Sequence, residues 1–335
     1  MVRYRLRVAG FVAAAILSFA ARAQASPWTL PKDELLLSVN YDFQLADDEF
    51  LPDGSFQRFP LEGRFVSNTL RLGTRYGFTP KFELGGEANF KAVTYTAQPV
   101  LLAIPEDSED LRAVRGELKN FSQTQVGAAD VYVTGRYNFY RRLVVLTNET
   151  RLKFPTGYPA PQGTFDLDTF EVQDDLALGD AQTDIEDSIL FGFFVPATRT
   201  FGRLDAGFRF RFGGPGHQAI GSVKAGQFVG KHFIFFAGTG GALTVIEGDI
   251  IGKTFVSTEP DGLDTVDVEV GVNTIGVDLP YDKDWLNVEG GLIFLPVPGV
   301  EVQLAYSKTV FGRNIPASHG IFLGTAVRLQ DLTAE

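Results

Sequence analysis

Fourteen residues in this chain carry the side chains that could line a pathway: Arg71, Arg75, Glu83, Glu87, Lys91, Tyr132, Arg136, Glu149, Arg151, Lys153, Arg203, Asp205, Arg209 and Arg211. Most recur at every second position within a run. Arg71 and Arg75 fall between Leu70, Leu72 and Tyr76; Glu83, Glu87 and Lys91 fall between Phe82, Leu84, Ala88 and Phe90. Period two puts the charges on one face of a strand and the apolar groups on the other. Two chemistries follow from such a face. Lys224 joins the same set, and these charges either pair into a salt-bridge lattice that fills a narrow barrel, or line a solvated pore whose arginines orient anionic solutes.

The elements that position these residues are long. The hairpin from Arg64 to Thr96 turns at Gly77–Lys81, and each arm alternates for ten or more residues. Globular strands run to about five or six residues, whereas a tilted strand crossing a bilayer needs about nine to eleven. The pattern repeats in Asp33–Gln44, Gln125–Phe139, Leu143–Phe154, Gln182–Val195, Arg199–Phe212, Gln218–Val229, Phe233–Ile246, Trp285–Leu295, Val300–Phe311 and Ile321–Leu329. Turns after every second strand are short and the other connections are longer and polar, as in bacterial outer-membrane barrels. The expected fold is all-β, a transmembrane antiparallel up-and-down barrel of about twelve strands, or fourteen if the region around Val266–Val272 forms two staves. Pro280 and the acidic ends of that region favour a loop hairpin instead. Leu111, Val114 and Leu118 recur at helical spacing after Asp107 and Ser108, so a short amphipathic helix is expected there.

The N-terminus reads as an export signal. Arg3, Arg5 and Arg7 precede the apolar run Val8–Ala20, and Ala21-Arg22-Ala23 and Ala23-Gln24-Ala25 are small-x-small cleavage patterns. An uncleaved anchor would need a longer apolar run. Residues 1–25 are therefore assigned as signal peptide and 26–335 as the barrel. The chain holds 30 Lys and Arg, four of them in this segment; the remaining 26 face 41 Asp and Glu, a net charge of −15. That balance argues against nucleic acid. With no cysteine there is no disulfide, thiol nucleophile or Cys-ligated zinc. Export without spanning helices and with long amphipathic strands points to the outer membrane of a Gram-negative cell. Its lipid and lipopolysaccharide, the periplasmic chaperones and barrel-assembly machinery, and a small-molecule solute are the expected partners.

Catalysis and metal binding have weaker signals. The loop carboxylates Asp166, Asp168, Asp174, Asp175 and Asp180 lack the spacing of a calcium loop, so a solvated acidic loop is expected, with no metal and no cofactor. His217 and His319 are expected in outer loops and His232 in a periplasmic turn. A Ser-His-acid site would need His217 or His319 beside Ser222 or Ser318, and there is no G-x-S-x-G. The Gly238–Gly241 cluster reads as close strand packing.

Four short segments carry a family likeness: Lys153-Phe154-Pro155-Thr156-Gly157, Leu178-Gly179-Asp180-Ala181-Gln182-Thr183-Asp184-Ile185-Glu186, Arg209-Phe210-Arg211-Phe212-Gly213-Gly214-Pro215-Gly216, and Phe311-Gly312-Arg313-Asn314 before the terminal strand. Together they resemble the transporters of the "MetA-pathway of phenol degradation" family. The resemblance implies an outer-membrane barrel for passive uptake of small aromatic or hydrophobic compounds. A barrel-based lipid-modifying enzyme and a structural or adhesion barrel are the alternatives. Gly324, Val327 and Leu329 resemble a barrel-assembly signal, although the chain runs on to Glu335.

Overall fold

The computed structural model describes residues 27–103, 118–163, 176–257, 267–269 and 274–330. Twelve strands form a closed antiparallel barrel. They are β1 Leu35–Ala46, β2 Arg64–Gly77, β3 Phe82–Thr96, β4 Gln123–Arg141, β5 Val144–Pro155 and β6 Thr183–Val195, followed by β7 Thr200–Phe212, β8 His217–Val229, β9 Phe233–Ile246, β10 Asp284–Phe294, β11 Val300–Arg313 and β12 His319–Leu329. Each strand pairs with its neighbours in sequence, and β1 closes on β12 from Leu35↔Leu329 to Leu45↔His319. Closure gives every strand two hydrogen-bonded neighbours and leaves no edge, which is what a β-structure in lipid requires.

Burial is inverted relative to a globular protein. Leu72 is 41% exposed and Phe90 46%, whereas Glu83 is 1% exposed and Arg136 5%. The apolar face of each strand is the outside. Exposed aromatics ring both ends: Phe78, Phe82, Phe193 and Phe233 near the short turns, and Phe154, Phe210, Phe212 and Phe311 near the other. Such girdles match the two interfaces of a bilayer, and the short-turn end faces the periplasm by the usual asymmetry of bacterial barrels.

The Val266 question resolves as a barrel of twelve strands. Ile250–Ser257 and Thr274–Pro280 pair with each other outside the barrel, and Asp267–Glu269 runs parallel to Val100–Ala103. Bulges locally reset the inside–outside alternation. In β4 the register slips between Ala88 and Phe90 of β3, so Ala129 is buried on the lumenal side while Val131 and Val133 face outward. Gly241 is needed because a Cβ there would sit 2.4 Å from the Trp285 carbonyl of the neighbouring strand, in keeping with close packing. The expected signal segment, most of the expected helix around Leu111 and the acidic residues Asp166, Asp168, Asp174 and Asp175 lie outside the described residues; Leu118 belongs to a two-residue strand, Leu118–Lys119.

Candidate functional site

The lumen is built from the polar faces of the strands, and the charges there meet across strand boundaries. Glu83 on β3 is the hub. Its Oε1 accepts from Arg75 Nε at 2.7 Å and Arg136 Nη1 at 2.9 Å. Arg136 also binds Glu149 on β5. The chain of pairs continues at Arg151, which reaches Glu87 at 3.4 Å and Glu186 at 4.0 Å. Arg209 donates to Glu186 and to the Gln218 amide oxygen, each at 2.7 Å. Arg203 binds Asp205, which also accepts from Ser222 at 2.6 Å. Arg71 reaches Asp42 at 2.9 Å, and Lys224 reaches Glu289 at 2.7 Å. At the outer end Lys153 and Arg211 share Asp180 and Asp184. Lys91 makes no ion pair among the described residues. The guanidinium of Arg151 lies 3.7 Å from the Tyr132 ring centroid, so that ring face is already occupied.

A cavity of about 380 Å³ lies within this lattice. Its wall includes Arg71, Arg75, Arg136, Arg151, Arg203 and Arg209, and equally Glu83, Glu87, Glu149, Glu186, Asp205 and Glu289. Six cations against six carboxylates make a neutral wall of strong local dipoles rather than a cationic one. Lys91, Tyr132, Lys153 and Arg211 do not line it. Its other side is small or neutral, with Ile220, Thr239, Gly240, Trp285 and Ser307. Nearby, Phe236, Ala305 and Phe322 form a buried cluster with Phe201 and Ile293, and Lys224 lies 4.6 Å from the Phe236 ring centroid.

The stretch before β1 runs into the short-turn end of the lumen. Thr147 on β5, fully buried, donates to the Pro27 carbonyl. Thr29 donates to the Pro80 carbonyl at 3.1 Å, and Leu30 N–H donates to Glu83 Oε2 at 2.7 Å. Gly192 on β6 leaves the room that this strap uses, since a Cβ there would lie 2.3 Å from Pro27 Cγ. Thus Glu83 ties the strap to the lattice. Nothing in the sequence pattern of Pro27–Leu30 distinguishes it from an ordinary leader to a strand. The sequence reading also missed the partners Asp184, Glu186 and Ser188; their alternation with Ile185 and Ile189 along β6 is the signal that marks them, although Asp187 interrupts it on the outer face. Asp42 alternates in the same way with Tyr41 and Phe43.

At the outer end Asp180 sits just before β6. Burial disfavours its charge, but Lys153 and Arg211 overcome that and hold its carboxyl at about 2. Tyr158, in the preceding loop, has its phenol pushed upward by burial and by its hydrogen bond to Asp130, so it acts as a donor.

The histidines do not assemble with the serines. His217 and His319 open strands β8 and β12 rather than lying in loops. The His217 ring packs beside Phe208 and Phe210, and its Nδ1 accepts from Arg211 N–H at 3.1 Å. Ser222 faces Asp205 inside the barrel, and Ser318 meets Thr309. His232 sits in the turn between β8 and β9, its Nδ1 2.8 Å from the Leu295 carbonyl oxygen.

No family model and no curated protein sequence matches the chain. Among solved structures the chain is similar to the COG4313 outer membrane channel from Pseudomonas putida F1, with a TM-score of 0.61 at 13% identity, over 91% of this chain and 99% of that one. It is also similar, at TM-scores of 0.48 and 0.39 and 9% identity each, to the translocator domain of the autotransporter NalP from Neisseria meningitidis (97% of this chain, 96% of that one) and to the CymD monoaromatic hydrocarbon channel (90% of each). At 13% identity the likeness to the COG4313 channel is one of fold, in keeping with the closed barrel described above.

Proposed function

We propose that this chain is a passive outer-membrane channel for small compounds with an apolar or aromatic body. The observation that carries the reading is the cavity of about 380 Å³ inside an inside-out barrel, lined by balanced charges over much of its wall and by Ile220, Thr239, Gly240, Trp285 and Ser307 where β8 to β11 contribute. Sites of about 300–1,000 Å³ that combine an apolar surface with a few placed polar groups suit small organic ligands. The balanced wall disfavours selection by net charge alone. Membership in the MetA-pathway of phenol degradation family belongs to the same proposal, as do cleavage of the signal segment, delivery by periplasmic chaperones and the barrel-assembly machinery, and a final position among outer-membrane lipid and lipopolysaccharide. The fold of the COG4313 channel supports the channel reading by analogy only. The test is entry of a small aromatic compound into liposomes that carry the refolded protein, against a sugar of similar size. Entry of the aromatic compound at the rate of empty liposomes would refute it.

A further inference from the structure

The residues that lead into β6 lie inside the barrel mouth. Leu176 and Leu178 are buried against Val93 and Ala129, on the lumenal faces of β3 and β4, with Phe65, Tyr95 and Tyr158 packed around them. Two residues after Leu178, one carboxylate bridges two walls of the lumen: Asp180 Oδ1 accepts from Lys153 of β5 and Oδ2 from Arg211 of β7. The backbone here is held in place by tyrosines. Tyr281 donates to the Asp180 carbonyl, and Tyr158 accepts from Ala181 N–H at 3.2 Å while donating to Asp130 at 2.5 Å. Ala181 adopts a φ of 50°, in the left-handed region that costs a residue with a Cβ. A Cβ on Gly179 would lie 2.2 Å from the Tyr158 hydroxyl.

The charges in this cluster divide by origin. Lys153, Arg211 and Asp184 belong to the barrel wall; Asp180 belongs to the connection. Two wall carboxylates lie beside these cations, Asp184 against both and Asp130 near Lys153, and Asp180 supplies the oxygens that bridge Lys153 to Arg211. The wall groups by themselves leave capacity: Arg211 Nε and Asp184 Oδ1 are buried and, 3.6 Å apart, lack hydrogen-bond partners among the described residues. The wall thus offers an apolar slot next to a pair of converging cations, and the chain's own Leu178-Gly179-Asp180 fills both.

We propose that Leu176–Asp180 is an internal occupant of a binding site at the outer mouth whose external ligand is a small amphipathic carboxylate. The ligand's apolar body takes the Val93–Ala129 slot, its carboxylate bridges Lys153 and Arg211 as Asp180 does, and its entry displaces Leu176–Asp180 and opens the mouth. A carboxylate fits because it presents the two oxygens that Asp180 places between Lys153 and Arg211, whereas a phosphate dianion would add a second negative charge beside Asp184 and Asp130. The direction of opening rests on the uptake reading above; the binding site does not.

The test uses the full-length protein in detergent, with octanoate as probe and 1-octanol as the uncharged control. Binding is read by calorimetry, and folding is checked by the heat-dependent shift on a denaturing gel. The parent protein should bind octanoate and not octanol. Asp180→Asn removes the internal competitor and should tighten octanoate binding by about tenfold, as expected when a competing closed state is relieved. Lys153→Met with Arg211→Gln should abolish it. Because the chain has no cysteine, Val93→Cys with Leu178→Cys gives a clean lock: binding should vanish when the pair is oxidised and return on reduction, with the fold intact in both states. Octanoate binding that is equal in the parent, Asp180→Asn and oxidised double-cysteine proteins overturns the proposal. Predicted binding without any solute flux would support this site and count against the uptake reading; flux that ignores the oxidised lock would overturn the mouth-opening step alone.

Discussion

Replacing Glu83 with Gln tests the lumenal lattice at its hub. Glu83 is almost fully buried and faces two guanidinium groups, Arg75 at 2.6 Å and Arg136 at 2.9 Å, while its second oxygen accepts from Leu30 N–H. The amide keeps the volume but removes the charge. Removing one partner of a buried pair costs about 3–5 kcal/mol, because the other is left uncompensated. Arg136 retains Glu149, whereas Arg75 has no other carboxylate partner among the described residues, so a loss of about 3 kcal/mol is expected. Reversible urea unfolding in phospholipid vesicles, followed by tryptophan fluorescence, measures it. The double variant Glu83→Gln, Arg75→Gln should recover about 2 kcal/mol of the loss through the coupling term. The amide offers one acceptor oxygen where the carboxylate had two, so Leu30 N–H and the guanidinium groups compete for it, the strap is held less firmly, and ion conductance should rise. A change in unfolding free energy below about 1 kcal/mol would refute the reasoning, because that is the worth of a solvated pair.

Three further outcomes follow. Leu72→Arg puts a charge on the lipid face and should cost about 2–4 kcal/mol near the midplane, far more than Arg71→Gln; vesicle unfolding compares the two, and equal costs would contradict the face assignment. Gly192→Ala places a methyl against Pro27 and should displace the strap, which planar-bilayer recording would show as higher conductance without loss of the folded band on a gel. Asp180 has its carboxyl held below the ordinary carboxylate range, so its contribution is present above that range and is lost only as pH falls through about 2; octanoate affinity and melting temperature should show no transition from this group between about pH 5 and 8, and one centred there would contradict its pairing with Lys153 and Arg211.

Strands are legible here because lipid on one side and a polar lumen on the other impose a strict period of two. Leu70, Leu72 and Tyr76 against Arg71 and Arg75 suffice to define β2, and the adjacency of β5, β6 and β7 follows from up-and-down connection. Bulges break that reading locally: between Gln123 and Arg141 two register shifts move residues from one face to the other, and alternation alone does not locate them. Pairing partners are only half visible. The arginines stand out on their own strands, but that Arg209 meets Glu186, or that Arg211 and Lys153 converge on Asp180, depends on cross-strand register and on a loop folding inward. This is why the sequence leaves open a lattice or an arginine-lined pore, whereas in three dimensions the cavity wall carries as many carboxylates as cations. The strap from Pro27 to Leu30 is held largely through backbone groups, which any residues supply, and so it leaves no pattern to find.

The most direct test of the channel reading is solute entry into liposomes carrying the refolded parent protein, run beside a variant that begins at Lys32 and so lacks the strap. The account predicts that a small aromatic compound enters through the parent faster than through empty liposomes while a sugar of similar size does not. It also predicts that removing the strap admits both. Rapid sugar entry through the parent, or no difference between parent and empty liposomes for either solute, would contradict it.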